Sequence, residues 1–340
     1  MININKNSKI YVLAPEGHET GGTELAHQLV DFLISKGSEA YIVYCNHARF
    51  VVAEIPPGFK KYNINIAPEP TDSSDNILIL PEINFNFSDT FQNIQFIFWW
   101  MSIDNFYRRT PLLEVLGFFS FIDSVKIIYN RYKVKQNVFE GYSFRKLKAI
   151  KSNHFHAYQS TYAKYHLLRN GIKELLPLSD YINSDLIQKG SESVAKAQKE
   201  NIVLYNPAKG LKFTQKIIKA MPDYKFVALK GLSRDQLSDY FRVAKLYIDF
   251  GNHPGKDRLP REAAINGCCI IVGKSGSAQY FEDIPIPDHY KLDKDLNVIV
   301  KSIEYIVQNY DKANKDFEFY RKRILAEKSK FYSEIEEIFI

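Results

Sequence analysis

Cysteine is scarce. The three residues of this type in 340, Cys45 and the adjacent pair Cys268 and Cys269, give neither a metal-ligand spacing nor a disulfide framework, since neighbouring cysteines rarely bridge each other. A reducing, cytoplasmic compartment is expected. Glycine (16) and proline (14) are also few, and no period of 20 to 50 residues repeats, which excludes collagen-like, low-complexity and solenoid chains. Long apolar runs are missing: the most apolar stretches, such as residues 94–101, fall far short of the roughly 20 residues that cross a bilayer, and the first residues are polar. Neither a secretion signal nor a membrane span is expected. Absent too are the Gly-x-Gly-x-x-Gly of dinucleotide folds and the Gly-Lys-Ser/Thr of a phosphate loop, which weakens hydride-transfer and ATPase readings.

What is there is an ordinary globular composition, 45% hydrophobic and 25% charged, in a length that suits about two domains. The net charge of +6 is unevenly placed: residues 107–151 hold ten Lys/Arg against three Asp/Glu. Residues 9–15 read as a buried strand, and a helix follows from Thr23 with Leu25, Leu29, Phe32 and Leu33 on one face, stopped at Gly37. Residues 39–45 complete a β-α-β unit. Strands are predicted at 76–80, 94–101 and 154–160, and a helix at 162–169. Polar residues dominate 180–200, where the domain boundary and a hinge are expected. The second half predicts strands at 201–205, 225–229, 246–250 and 269–273 with helices between them. Ser233 and Gln236 form a capping box, and Pro260 stands at the first position of a helix over 260–266. The fold class is α/β, with domains over 1–183 and 184–340 and the last helix free to pack back on the first.

Open parallel sheets bind ligands outside the carboxyl ends of their strands, so the loops after strands are where chemistry is sought. After the first strand, Gly21 and Gly22 precede a helix, with Glu24 one turn on. The pair either brings backbone N–H groups to an anion or sugar, or only permits a tight turn. His18 in the same loop is either a general base or a solvated side chain. After residues 94–101, Asp104 is either a cleft-facing carboxylate or an Asx-type cap. Trp99 and Trp100 beside it are core residues or a sugar-stacking platform.

In the second half, Lys209 and Gly210 put a point charge beside accessible backbone at a strand end, which suits a diphosphate. Lys230 and Gly231 repeat the theme and suit a base or ribose. The densest loop holds His253, Lys256, Arg258 and Glu262, followed after the next strand by Ser275. Its cations and helix end favour phosphates, and its glutamate can accept bonds from vicinal ribose hydroxyls; the alternative is surface pairing among Arg258, Arg261 and Glu262.

Gly21-Gly22 with Glu24, Lys209-Gly210, and Arg261-Glu262-Ala263-Ala264 through Gly267 into an apolar strand together resemble the GT-B glycosyltransferases, specifically glycosyl transferases group 1, also called family 4-like. The resemblance runs over nearly the whole chain. It implies two Rossmann-like domains facing each other across a cleft, a donor held by the C-terminal domain and an acceptor by the N-terminal one. It implies further that Lys209 contacts the diphosphate and Glu262 the ribose. The sequence departs from the pattern in three places. Pro254 stands where a second glutamate is usual, Asn206 and Pro207 replace an arginine, and the fourth-strand histidine gives way to Ile103-Asp104.

The resemblance thus predicts a sugar transferase using a UDP- or GDP-sugar and a glycan or lipid-linked glycan acceptor. Its donor set is Lys209, Gly210, Lys230, His253, Lys256, Arg258, Glu262 and Ser275, its acceptor-side loop Gly21, Gly22 and Glu24, and its catalytic candidates Asp104 and His18. Lys209, Lys256, Arg258 and helix ends neutralise the leaving diphosphate, so no metal and no cofactor are expected. A nucleotide-sugar epimerase or phosphorylase, or a non-catalytic nucleotide-sugar-binding paralogue, is the alternative. Residues 106–151, where basic and aromatic residues interleave, suit either an anionic inner membrane face or a core helix with a solvated face. No nucleic-acid module is recognisable.

Overall fold

The computed structural model describes residues 2–46, 49–182 and 198–340. The expected boundary at 183 and most of the expected hinge over 180–200 lie outside the described residues. The chain divides into two compact units: Met1–Gln159, Ala163–Ser179 and Phe331–Ile340 form the first, and Ser160–Tyr162 with Asp180–Lys330 form the second. Both are α/β.

The first unit is built on β1 (Lys9–Pro15), β2 (Glu39–Asn46), β3 (Arg49–Phe50), β4 (Ile77–Pro81), β5 (Gln95–Trp100), β6 (His154–Tyr158) and β7 (Leu175–Pro177). They form one sheet in the order β3-β2-β1-β4-β5-β6-β7, parallel except for the β2–β3 pair. Strands buried on both faces lose the apolar-polar alternation of half-exposed ones, and all six residues of β5 and all five of β4 are buried. Trp99 and Trp100 belong to that core, each fully buried, so they are not a sugar-stacking platform. Trp99 donates its indole N–H to the Leu178 carbonyl and Trp100 to His156 Nδ1.

Helix α1 (Gly21–Ser35) begins two residues before the expected start, because Thr20 and Thr23 cap each other reciprocally. Gly21 and Gly22 are therefore its first turn. Its buried stripe of Leu25, Leu29 and Leu33 packs on the sheet, each such side chain contributing about 1.5–3 kcal/mol. The short helices α2 (Ile103–Tyr107), α3 (Leu112–Phe118), α4 (Phe121–Lys133) and α5 (Phe144–Lys148) follow β5, and α6 (Thr161–Arg169) follows β6.

The second unit carries β8 (Glu200–Tyr205), β9 (Lys225–Ala228), β10 (Ala244–Asp249), β11 (Cys269–Gly273) and β12 (Lys291–Leu292) in a fully parallel sheet of order β12-β11-β10-β8-β9. Helices α7 (Leu211–Ala220), α8 (Arg234–Val243), α9 (Arg258–Ile265) and α10 (Leu296–Gln308) fill the connections, and α11 (Tyr310–Ala313), α12 (Glu318–Leu325) and α13 (Glu327–Phe339) close the chain. The Ser233–Gln236 capping box forms as expected. Pro260 does not open its helix: α9 starts at Arg258, behind the N-cap Asp257, and Pro260 is its third residue. A third position still suits proline, whose missing N–H has no intrahelical partner in the first turn. Residues 331–340 group with the first unit, where Tyr332 stacks on Phe32 at 3.8 Å and Glu334 accepts from the Ser179 amide at 2.7 Å.

Candidate functional site

In the second sheet the chain leaves β8 toward β9 on one side and returns to β10 on the other. The gap between β8 and β10 is thus the topological switch point, where loops diverge and leave a crevice at the strands' carboxyl ends. Two of the expected loops meet there. Gly210, at a φ of 67°, caps α7, and a Cβ on it would lie 2.6 Å from the Gly251 amide nitrogen. Only glycine allows that approach.

Lys209 runs its stem over Gly251 and brings its ammonium onto Asp257 and to 3.4 Å from Asp249. Asp249, the last residue of β10, is buried and accepts from the Tyr247 hydroxyl at 3.0 Å and the Gly251 amide at 2.9 Å. His253 is fully buried, its Nδ1 2.6 Å from the Asp257 carboxylate. Burial pushes the Asp257 carboxyl up, but His253 and Lys209 beside it outweigh burial and hold it below the usual carboxylate range.

The 251–257 loop is tied to the loop after β11. The Ser277 amide donates to the His253 carbonyl at 2.8 Å, the Ser277 hydroxyl to the Gly255 carbonyl at 2.6 Å, and the Ser275 hydroxyl to Asn252 at 2.7 Å. Gly276, at a φ of 61°, passes so close that a Cβ would sit 2.0 Å from the His253 carbonyl oxygen. Of the expected donor set, Lys209, Gly210, His253, Arg258, Glu262 and Ser275 thus lie along these linked loops and the start of α9. Lys230 is exposed, just past the carboxyl end of β9. Glu262 is buried and 3.2 Å from Arg258 Nε one turn earlier.

Lys256 is drawn away. It pairs with Glu327 at 2.7 Å and lies 3.5 Å from Asp180, in a network centred on the fully buried Arg261. Arg261 grips Asp180 through both terminal nitrogens, at 3.0 and 2.5 Å, and Glu327 at 2.9 Å. Burial raises the Asp180 carboxyl, yet Arg261 and Lys256 bring it below its ordinary value. The surface pairing considered for Arg261 is therefore replaced by a buried one. Asp180 and Glu327 carry no local signal of this role, lying 81 and 66 residues from their partner.

Asp249, His253 and Asp257 present ligand atoms within 4.8 Å of one another, a donor set that could hold a cation. The Lys209 ammonium already lies against both carboxylates and supplies the positive charge there.

In the first unit, the expected acceptor loop is turned inward at Glu24, which is buried and accepts from the Tyr62 hydroxyl at 3.0 Å, with Lys61 at 3.5 Å. His18 is exposed, its carbonyl accepting from the Thr23 hydroxyl at 2.7 Å. Asp104 is buried in the first turn of α2, behind the N-cap Ser102. One strand-end residue was missed. Glu82 directly follows β4, is buried, and accepts from the Met101 amide at 3.2 Å and Asn105 Nδ2 at 3.3 Å. Burial pushes its carboxyl up to about 7. Its signal was in plain view, a carboxylate just beyond an apolar run.

No protein-family model matches the sequence, and no curated protein matches it. Solved structures do. A sucrose-phosphate synthase from Thermosynechococcus elongatus matches with a TM-score of 0.61 at 13% identity, over 98% of each chain. A glycosyltransferase from Rickettsia africae matches with a TM-score of 0.59 at 13% identity, over 96% of this chain and 98% of that one. Anabaena HepE in complex with UDP-glucose matches with a TM-score of 0.57 at 10% identity, over 97% of this chain and 98% of that one.

Proposed function

The chain has the GT-B fold, and on that premise we propose that it is a glycosyltransferase moving a sugar from a nucleotide-sugar donor to a glycan or lipid-linked glycan acceptor without a metal. The observation that carries this reading is the Lys209 ammonium held at the switch point of the second sheet, beside the start of α9. A diphosphate placed there exchanges the Asp257 carboxylate for its own oxygens on Lys209 and meets the positive end of a helix. Glu262, one turn into that helix, accepts from the ribose hydroxyls, with Arg258 adding charge and Lys230 lying toward the base. HepE, solved with UDP-glucose, supports a nucleotide sugar as the ligand. A UDP- or GDP-sugar is the donor class.

As the glycosidic bond to the diphosphate breaks, negative charge grows on the leaving oxygens, and fixed cations and N–H dipoles stabilise that charge most when they are already in position. Lys209, locked by two carboxylates, meets that requirement. Asp104 and His18 are the proposed groups for the acceptor hydroxyl, as a base or as a hydrogen-bonding carboxylate.

The protein acts in the cytoplasm at an anionic membrane face. Helices α3 and α4 turn Leu113, Phe121, Ile122 and Tyr132 outward, and Lys126, Lys133 and Lys135 are exposed alongside. Basic groups beside insertable apolar ones suit such a surface, each adding about 1 kcal/mol. No helix among the described residues is long and apolar enough to cross a membrane.

The reading is tested by offering UDP-, GDP- and ADP-hexoses with a pool of glycan acceptors and following nucleoside diphosphate release. Release that depends on acceptor supports it. A folded protein whose melting temperature no nucleotide raises contradicts it, since any ligand of the native state stabilises by mass action.

A further inference from the structure

The first unit has its own switch point, between β1 and β4, and a cavity of about 830 Å³ lies near the carboxyl ends of β4 and β5. Glu82 enters it from the end of β4, Phe106 and Arg109 from α2 and the turn after it, and residues 134–146 form the facing wall. A second cavity of about 360 Å³ shares Arg109 and Arg131 with it and adds Arg108.

Glu82, Asp89 and Glu140 face Arg109, Arg131 and Lys146 in the larger cavity, and Arg108 is added in the smaller one. Asp89 is neutralised by Lys146 at 2.7 Å and also accepts from the Tyr142 hydroxyl. Arg131 is buried and donates to three backbone carbonyls, those of Thr110, Asn137 and Glu140, so it shapes the wall while no carboxylate among the described residues balances it. Arg109 lines both cavities, and no carboxylate among the described residues lies within ion-pair distance of its guanidinium. Glu82, the acid nearest in role, is held close to half-protonated at neutral pH by its burial. With Arg108, the two cavities carry four cations against three carboxylates. Phe85, Phe106, Phe139 and Tyr142 supply flat apolar faces in the same lining, the surface a pyranose ring packs its C–H groups against.

We propose that this cavity binds the acceptor, and that the acceptor is an anionic sugar whose carboxylate or phosphate is seated on Arg109. The word acceptor rests on the glycosyl-transfer reading above; the anionic-sugar site rests on the cavity alone. A guanidinium that Glu82 opposes only from beyond ion-pair distance can take an oxyanion through two parallel N–H bonds, and Glu82 is placed to accept from a hydroxyl of the same ring.

The test is calorimetric titration of the full chain with glucose, glucuronate and glucose 6-phosphate, repeated on Arg109→Gln and Arg109→Lys, with UDP titrated separately. The expected result is at least tenfold tighter binding of one or both anionic sugars than of glucose. Glucuronate and the sugar phosphate then tell carboxylate from phosphate, Arg109→Gln falls to the glucose level, and Arg109→Lys keeps part of the preference. Equal binding of the three, no binding of any, or an unchanged preference in a folded Arg109→Gln protein overturns the inference. UDP binding without an anionic preference leaves glycosyl transfer standing and removes this site. Anionic preference without nucleotide binding does the reverse.

Discussion

Lys209, just past the carboxyl end of β8, is ion-paired with Asp257, the residue that caps α9, so a single contact joins the two loops that leave the switch point. Asp257 does not cap through its side chain in the usual way: no hydrogen bond runs from it to the first helical turn. Its carboxylate is given to Lys209 and His253 instead.

Arg261 anchors this arrangement from behind. Replacing it with Met leaves Asp180 and Glu327 as buried acids without their main counter-charge, and the expected loss is about 3–5 kcal/mol in unfolding free energy by denaturant titration. The pH dependence has a definite sign. The Asp180 carboxyl is depressed in the folded state, so its contribution is complete above the ordinary carboxylate value near 3.9 and is lost as pH falls through the lower folded value. A variant as stable as the parent at pH 7 would contradict the network's role.

Because Lys209 already stands between Asp249 and Asp257, nucleotide binding should be indifferent to divalent cations. Affinity for UDP or GDP measured with excess chelator and with added magnesium is expected to agree within about twofold. A drop of tenfold or more in chelator, equal to about 1.4 kcal/mol, would assign the Asp249, His253 and Asp257 group to a metal instead.

Glu82 gives stability the opposite slope. Its carboxyl titrates at about 7 when folded and near 4.5 when not, so the folded chain holds a proton that the unfolded one has lost between those values. Stability should therefore decline by roughly 3 kcal/mol as pH rises from 4.5 to 7, then level off. Glu82→Gln, which keeps the shape and never ionises, is expected to flatten that decline in melts taken between pH 5 and 8. An unchanged slope would show that Glu82 does not titrate in this range.

The strands were legible because parallel strands covered on both faces are written as unbroken apolar runs, as in Ile77–Pro81 and Gln95–Trp100. Their loops were legible for the same reason, since a ligand site follows a strand end, and Lys209, Gly210 and His253 stand at two such ends. What stayed hidden is long-range. Nothing local pairs Asp180 with Arg261 across 81 positions, and so the destination of Lys256 could not be read. The tryptophans were ambiguous because the same side chains serve a core and a sugar platform. Their place in β5, between β4 and β6, decides it.

The central claim, that the switch point of the second unit holds a nucleoside diphosphate, is tested most directly by calorimetric titration of UDP, GDP and ADP into the parent chain and into Lys209→Ala. One nucleotide should bind the parent, and the variant should bind it about 10- to 100-fold more weakly, the worth of one charge-assisted contact of roughly 1.5–3 kcal/mol. Equal affinity in parent and variant would place the nucleotide elsewhere and contradict the account.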